Sequence, residues 1–341
     1  MKWLPLLGFY AVGLVTLARA GRWSEFALCV VVVALLGVFF LVAHFLRESA
    51  TGRDIALRTQ TWCWMIGLVV LAISAHQVVS VVLLGFLSFV ALREYFSLLP
   101  MYHRGTFLRA DDRAAIGLAY LAIPVTYTLA AIPWYSLYLI MIPVYATLCL
   151  PVLMVAADNP RGILTSFGAI MSGLILFVFL FSHAALLVHM APFLLLYALL
   201  VTEIRDVLAY CFGKLLAPIS LPWLHAAVAP HINPRKTWAG AALAAAGCAV
   251  VSMLLAPLMP RLPGGVPSPR FLLGLGFCVG WLGLVGDLSI GAIKRDLNVK
   301  DTGHSLPGHG GVIDRINGAI FTVPVIFHLL YYFYYSGVEL S

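Results

Sequence analysis

Long apolar runs follow one another through the chain, and they restrict its fold more than any other feature. A run of about 17 to 25 apolar residues is long enough to cross a bilayer as a helix. The predicted spans lie near residues 3–19, 26–46, 61–75, 77–97, 114–132, 134–156, 163–183, 185–202, 237–257, 270–293 and 316–336. Only "SAHQ" (74–77) separates the third run from the fourth, so these two could form one broken helix. We expect an all-α, polytopic integral membrane protein with about 10–11 transmembrane helices.

The composition favours the same class and argues against others. Of 341 residues, 62% are hydrophobic and 10% charged, whereas soluble domains carry roughly 25% charged residues. No basic run interleaved with aromatic residues indicates nucleic-acid binding. The six cysteines form no CxxC pair, so neither a disulfide framework nor a zinc site is expected. Residues 1–20 imitate a cleavable secretory signal, but the next apolar run follows so closely that a first transmembrane helix is the preferred interpretation.

Basic residues gather in four connecting loops. The loops carry Arg47, Arg53 and Arg58; Arg93, Arg104, Arg109 and Arg113; Arg205, Lys214, Arg235 and Lys236; and Lys294, Arg295, Lys300 and Arg315. The positive-inside rule places such loops in the cytoplasm, and an even number of predicted spans separates each pair. The net charge of +7 is then explained by the basic residues of these cytoplasmic loops. Arg19 and Arg22 would lie outside, against the rule.

The polar residues of the C-terminal half are concentrated in two loops, 203–236 and 294–315. We therefore divide the chain into an N-terminal multispan region, residues 1–200, and a C-terminal catalytic region, residues 201–341, within one continuous helical unit. The GxxxG in "GFCVG" (276–280) allows two helices to approach closely. It is compatible with packing inside the chain and with a homodimer.

Asp287 lies inside the tenth apolar run. An aspartate at that depth costs about 2.5–3.5 kcal/mol on insertion scales, so it requires a partner or a function. Asp287, Gly291, Lys294 and Arg295 share one helical face. The alternative is a salt-bridged helix end whose cations reach the membrane surface.

The stretch "KDTGHSLPGHGGVIDRIN" (300–317) contains too many Gly and Pro residues for a regular helix. Gly310 and Gly311 directly precede the last span, whose first N–H groups are suited to an anion. Asp314 lies one turn inside that helix, and Asn317 one turn further. The stretch therefore combines anion donors, cations and a carboxylate, which a plain connecting loop would not need.

A third polar cluster is "TEIRDVLAYCFGK" (202–214), followed by "NPRKTWAG" (233–240). Asp206 is a second carboxylate near a helix end, and Lys236 precedes a span. A basic membrane flank with Trp238 in the aromatic belt is the alternative. Carboxylates with lysines and arginines suit magnesium and a polyphosphate, as in an in-line phosphoryl displacement. No P-loop or dinucleotide glycine motif is present.

The C-terminal residues resemble the signature of phosphatidate cytidylyltransferases, also called CDP-diacylglycerol synthases. The matching positions are Lys294-Arg295, Lys300-Asp301, Pro307, His309-Gly310-Gly311 and Asp314-Arg315. "DVLAYCFGK" and "NPRKTWAG" are similar to two upstream segments of the same family. The N-terminal half is similar only as a hydrophobic multispan region, with "ALREYFSLL" (91–99) suggestive.

This resemblance implies that CTP condenses with phosphatidic acid, or a related lipid phosphate, and releases pyrophosphate. It implies a bacterial inner-membrane protein whose active site faces the cytoplasm, among membrane lipids, with no nucleic-acid partner. The implied catalytic residues are Asp287, Asp314 and Lys294. Asp287 and Asp314 are also the implied ligands of Mg²⁺, with a second cation left open. The implied substrate-binding residues are Arg295, Lys300, Asp301, His309, Gly310, Gly311, Arg315, Lys236 and Asp206.

Three positions depart from the family pattern. Gly291 replaces a serine, Asn317 replaces the last aspartate, and Ala239 replaces a glutamate. An amide oxygen can still bind a metal, but without charge. A divergent member acting on another lipid phosphate, a non-catalytic regulator and a transporter therefore stay open as alternatives. A transporter would carry charges throughout its spans, whereas here they are concentrated in two loops.

Overall fold

Helices make up most of the described chain, which comprises residues 4–45, 50–99, 108, 112–132, 134–156, 158–303 and 310–335 of a computed structural model. The first five helices are α1 Leu4–Arg19, α2 Trp23–Phe45, α3 Ala50–Ser74, α4 Gln77–Leu98 and α5 Arg113–Ala131. Two continuous rods follow, each made of two α-helices joined by a π-helical segment. The first rod consists of α6 Tyr135–Ile140, the π-helical segment Met141–Ala146 and α7 Thr147–Val155. The second consists of α8 Ile163–Gly173, the π-helical segment Leu174–Leu180 and α9 Phe181–Met190. The last four are α10 Pro192–Leu216, α11 Trp238–Leu254, α12 Pro269–Asp296 and α13 Ile313–Tyr334.

Seven of these described helices or rods are long and apolar enough to cross a membrane. They are Trp23–Val42, Gln77–Leu98, Arg113–Ala131, Tyr135–Val155, Ile163–Met190, Pro269–Asp296 and Ile313–Tyr334. Shorter apolar helices occupy Gly8–Arg19, Thr59–Ser74 and Trp238–Leu254. The prediction of an all-α, polytopic membrane protein is confirmed.

Several helix boundaries differ from the prediction. The second rod, which corresponds to the seventh predicted span, continues to Met190, and the chain breaks at Ala191 instead of near residue 184. Pro192 explains the position, because proline has no N–H to donate and its fixed φ suits the first helical residue. The third and fourth predicted spans are separate helices. His76 caps α4, and its Nδ1 accepts a hydrogen bond from the N–H of Val78 at 3.3 Å.

A small antiparallel hairpin lies in the loop before α11, where no strand was predicted. Its strands are β1 Ala227–Ala229 and β2 Asn233–Thr237, with Ala227 opposite Thr237. Strands of three and five residues are too short to produce a recognisable alternation. The hairpin matters because β2 carries Lys236 and ends at Thr237, whose Oγ1 caps α11 by accepting from Gly240 N–H at 3.2 Å.

Glycines allow α12 to pack closely against its neighbours. A Cβ on Gly276 would lie 2.5 Å from the Cβ of Ser252, and one on Gly280 would lie 2.8 Å from the Cβ of Ala245. Both contacts are with α11, so the predicted GxxxG is used for packing within the chain. A Cβ on Gly286 would meet the backbone of Asn317 on α13. Small residues therefore allow α11 to pack on the first half of α12, and α13 to pack on its polar second half.

The N-terminal helices form the other part of the bundle. Tyr10 of α1 donates to the Cys63 carbonyl of α3 at 2.7 Å. Ser88 of α4 contacts the Tyr127 hydroxyl of α5 at 2.8 Å. Helices α4, α5 and α9 pack together, and α9 also packs on α13. This packing places Glu94, near the end of α4, beside the chain segment that precedes α13.

Candidate active site

Asp287 is the centre of a network that joins α10, β2, α12 and α13. Its side chain is 11% exposed, and its Oδ2 accepts from Arg205 Nη1 at 2.8 Å, Arg205 Nη2 at 2.9 Å and Lys236 Nζ at 2.5 Å. Its Oδ1 accepts from Asn317 Nδ2 at 2.8 Å. The expected partner of this buried carboxylate is therefore present, but it comes from other elements rather than from Lys294 on the same helix.

Arg205 is the part of this network that sequence reasoning missed. It is 1% exposed, and it also donates to the Gly283 carbonyl at 2.7 Å and forms an ion pair with Asp206 at 2.9 Å. A Cβ at Gly283 would lie 2.9 Å from Arg205 Nε, so the glycine leaves room for the guanidinium. The prediction treated Arg205 as a loop cation, because its helix was expected to end at residue 202. Arg205 lies between Glu203 and Asp206 in the sequence, and this charged cluster was the signal from which an ion pair could have been predicted.

Asp314 forms a second network at the start of α13. It is 9% exposed, and its Oδ1 accepts from Lys294 Nζ at 2.6 Å. Its Oδ2 accepts from the Thr302 N–H at 2.9 Å, the Thr302 hydroxyl at 3.0 Å and the Gly311 N–H at 3.3 Å. Since Asn317, one turn further along α13, contacts Asp287, the two networks lie side by side. Thr302 was not identified from the sequence.

Glu94 of α4 reaches the same segment from the N-terminal half. It is 6% exposed, its Oε2 accepts from the Ile313 N–H at 3.0 Å, and the same oxygen lies 3.5 Å from the Thr302 hydroxyl oxygen. The N–H groups at the start of α13 were predicted to face a substrate anion. In the structure, the N–H groups of Gly311 and Ile313 donate to the carboxylates of Asp314 and Glu94.

A polar cavity of about 200 Å³ lies between these networks. Its lining consists of Ile232, Asn233, Lys236, Asp287, Gly291, Lys294, Arg295, Val299, Lys300 and Asn317. Five predicted site residues therefore meet here, namely Lys236, Asp287, Lys294, Arg295 and Lys300. Four cations face one carboxylate, so the cavity carries a positive excess that suits a polyphosphate.

A smaller cavity of about 40 Å³ lies between α10, α11 and α12. It is lined by Arg205, Ala209, Gly213, Arg235, Lys236, Thr237, Gly240, Ala241, Ala244, Gly280 and Leu284. Small apolar residues form most of its wall, and three cations, Arg205, Arg235 and Lys236, also line it. Lys236 lines both cavities, so the apolar cavity and the cationic cavity meet at its side chain.

The other predicted site residues lie around these cavities. Asp206 is 46% exposed and lies 4.0 Å from Lys236 Nζ. Asp301 is exposed beside Gly310, whose φ of +77° favours glycine. Arg315 lines neither cavity, and its buried Nε has no hydrogen-bond partner among the described residues. His309 lies outside the described residues.

The three departures from the family pattern fall in or near the site. Gly291 and Asn317 line the larger cavity, and Ala239 lies in the first turn of α11. A Cβ on Gly291 would meet Ile232 Cγ2 at 3.2 Å. Asn317 has both ends of its amide engaged, because its Oδ1 accepts from the Gly318 N–H at 2.7 Å. The asparagine therefore acts here as a donor to Asp287.

A magnesium ion at this site would have to bind together with substrate phosphate. Within the described part of the chain, no three His, Cys, Asp or Glu side chains are grouped to hold a metal by themselves. Magnesium usually takes one or two carboxylates, with phosphate oxygens and water as its other ligands. Asp287 is the one acidic residue among the described residues that line the larger cavity. It would supply such a ligand only if the donor from Lys236 or Asn317 moved away from its carboxylate.

Comparison with known proteins gives the family. The model of the cytidylyltransferase family matches residues 56–333, which include both cavities. Uncharacterized protein YnbB of Escherichia coli strain K12 is 32% identical over 309 residues, which cover 88% of this chain and 96% of YnbB.

Two relatives with named activities match a shorter part of the chain. The phosphatidate cytidylyltransferase of Brucella abortus biovar 1 is 36% identical over 124 residues, 36% of this chain and 41% of that protein. The phosphatidate cytidylyltransferase of Bacillus subtilis strain 168 is 37% identical over 135 residues, 39% of this chain and 46% of that protein. The chain thus matches less than half the length of either.

Proposed function

This chain belongs to the cytidylyltransferase family, and we propose that it is a phosphatidate cytidylyltransferase. The substrates are CTP and phosphatidate, and the products are CDP-diacylglycerol and pyrophosphate. The family supports the coarser statement, that of a CTP-dependent nucleotidyltransferase. The lipid substrate is supported by the names of the two partial relatives, and by the meeting of a cationic and an apolar cavity at Lys236.

In the proposed reaction, an oxygen of the lipid phosphate forms a bond to the α-phosphorus of CTP. The bond from that phosphorus to the oxygen bridging the α- and β-phosphates breaks, and pyrophosphate leaves with the electron pair. No oxidation or reduction takes place. Both substrates are anions, so the protein must offset their mutual repulsion as they approach.

The larger cavity is the proposed nucleotide site. Lys294, Arg295 and Lys300 offset the charge of the triphosphate and of the departing pyrophosphate. The Asp314 carboxylate fixes the Lys294 ammonium at 2.6 Å, so this cation is held in place before substrate binds. Such pre-organisation lowers the reorganisation required during the reaction.

The smaller cavity is the proposed approach for the lipid phosphate. Its lining combines small apolar residues of α10, α11 and α12 with Arg235 and Lys236, whose charges suit the phosphate. Lys236 would then contact the phosphates of both substrates. The observation that best supports the proposal is that the side chain of Lys236 lines both cavities.

Asp287, together with substrate phosphate oxygens, would hold magnesium in the larger cavity. When bound, the ion would stabilise negative charge on the phosphate oxygens. The resemblance also implies Asp314 as a ligand, which requires the donors from Lys294 and Thr302 to give way. The cation-rich loops support a cytoplasmic site in a bacterial inner membrane.

The test uses the full chain purified in lipid nanodiscs, with phosphatidate, magnesium and CTP labelled at either the α- or the γ-phosphate. We expect the α-label in a lipid product and the γ-label in pyrophosphate. Omission of magnesium, or Asp287→Asn, should abolish lipid labelling. CTP binding without product would instead support a non-catalytic regulator.

A second candidate is the same reaction on another lipid phosphate. Gly291 and Asn317 favour it, because both alter the lining of the larger cavity relative to the family pattern. The same assay with a panel of lipid phosphates separates the two. Higher kcat/KM for a lipid other than phosphatidate would establish this alternative.

A further inference from the structure

We propose that Glu94, on α4 of the N-terminal half, is a positioning residue for the active site. It fixes the segments 300–303 and 310–313, here called the signature segments, of which the first contains Lys300 and the second leads into Asp314. The proposal rests on the proposed function for its catalytic consequence. Its structural part stands on contacts that do not depend on the substrate.

Polar contacts connect Glu94 to both signature segments. Its Oε2 lies 3.5 Å from Thr302 Oγ1 and accepts from Ile313 N–H at 3.0 Å. The same Thr302 hydroxyl lies 3.0 Å from Asp314 Oδ2, and Asp314 holds Lys294 at 2.6 Å. A continuous series of contacts thus runs from α4 to a cation that lines the larger cavity.

The Glu94 carboxylate also explains why glycine occupies two positions in the signature segments. A Cβ on Gly303 would overlap Glu94 Oε1 and lie 2.9 Å from its Cδ. A Cβ on Gly311 would also overlap Glu94 Oε1 and lie 2.5 Å from its Cδ. Neither glycine has a positive φ, whereas Gly310 does. Close approach of Glu94, rather than backbone conformation, therefore requires glycine at these two positions.

Electrostatics favours the same arrangement. The first N–H groups of a helix carry partial positive charge, and a carboxylate beside them is stabilising. Without Glu94, the buried N–H of Ile313 would lose its acceptor, and a buried unsatisfied donor is costly. The start of α13, which carries Asp314 and Asn317, is therefore held by a residue more than two hundred positions earlier.

The first experiment compares Glu94→Ala, Glu94→Gln and Glu94→Asp with Tyr95→Phe. Tyr95, on the same helix as Glu94, is the matched control, because its hydroxyl donates to the Ala169 carbonyl of α8 at 3.0 Å. We expect kcat to fall by about 10- to 100-fold in Glu94→Ala, because misplacing a catalytic group by about 1 Å can cost that much. Glu94→Gln, which keeps an acceptor, should retain more activity than Glu94→Ala.

Hydrogen exchange on the same variants measures how firmly the signature segments are held, independently of catalytic turnover. We expect faster exchange at residues 300–303 and 310–316 in Glu94→Ala, with little change in α8. Tyr95→Phe should leave exchange in the signature segments as in the unmodified chain. Equal exchange and unchanged kcat in Glu94→Ala would overturn the proposal.

A double-mutant cycle tests the glycine argument. Gly303→Ala should lower the Tm in the unmodified chain, and should lower it much less when Glu94 is already alanine, since the space is then vacant. Equal decreases in both backgrounds would refute the proposed contact. Absence of CDP-lipid formation in the unmodified chain would refute the proposed function, while the exchange and Tm measurements would still decide the role of Glu94.

Discussion

The ammonium of Lys236 lies 2.5 Å from Oδ2 of Asp287, and it joins a strand of the β-hairpin to the last third of α12. The same lysine lines both cavities. Asp287 also binds Arg205, so two cations share one carboxylate oxygen. This arrangement leaves positive charge available to an incoming phosphate, and it explains why a short hairpin is part of the site.

Substitution of Lys236 tests whether this lysine has a specific role in catalysis or contributes only to the general surface charge. We expect Lys236→Ala to lower kcat/KM by about 10²-fold or more, the scale for loss of a preorganised charge-stabilising group. Lys214→Ala is the control, since Lys214 lies over the Tyr210 ring and lines neither cavity. The measurement is labelled-lipid formation at several CTP concentrations. Equal effects of the two substitutions would contradict a specific role for Lys236.

Arg205 should contribute to stability as well as to the site. Arg205→Met is expected to lower the free energy of unfolding by about 3 kcal/mol, the low end of the range for a broken buried ion pair, because Lys236 still neutralises Asp287. Arg270→Met, on the exposed first turn of α12, is the control and should have little effect. Denaturant unfolding in detergent, followed by tryptophan fluorescence, measures both. A smaller effect of Arg205→Met than of Arg270→Met would exclude this role.

Asn317→Asp should restore a carboxylate beside Asp287 and change metal binding. It replaces the donor to Asp287 Oδ1 with an acceptor, so the apo protein should lose stability through like-charge repulsion. Mn²⁺ affinity, measured by electron paramagnetic resonance, should rise by roughly tenfold, the scale of changes beside metal ligands. Asn298→Asp adds the same charge in a left-handed position that aspartate tolerates, and it does not line the cavity. Unchanged Mn²⁺ binding in Asn317→Asp would contradict a metal site that includes position 317.

Two glycines of α12 should respond in opposite ways to alanine. Gly280→Ala places a methyl against Ala245 of α11 and should destabilise the protein by about 1–3 kcal/mol, as overpacking does. Gly274→Ala meets no atom within 4 Å and should be neutral or stabilising, because alanine is the better helix former. Thermal unfolding of the two variants in the same detergent decides the matter. A similar Tm for both would mean that the α11–α12 contact is looser than described.

Local properties of the sequence were sufficient for much of the fold. Apolar run length predicted most of the spans, because crossing a bilayer fixes a minimum length for each helix. Seven described helices meet that length, against about 10–11 expected. The spacing of Asp287, Lys294 and Arg295 predicted one helical face, and all three line the larger cavity. The end of α10 was not predictable, since its charged residues looked like a loop until partners on other helices were known.

What the sequence by itself determined was the membrane class, the approximate spans and the group of polar residues near the start of α13. What only the tertiary structure decided was the pairing: Asp287 with Arg205 and Lys236, Asp314 with Lys294 and Thr302, and Glu94 with the signature segments. The physical reason is that a buried charge must find its partner among all residues that packing brings near it. Those partners are up to 219 positions away in sequence, where no local pattern records them.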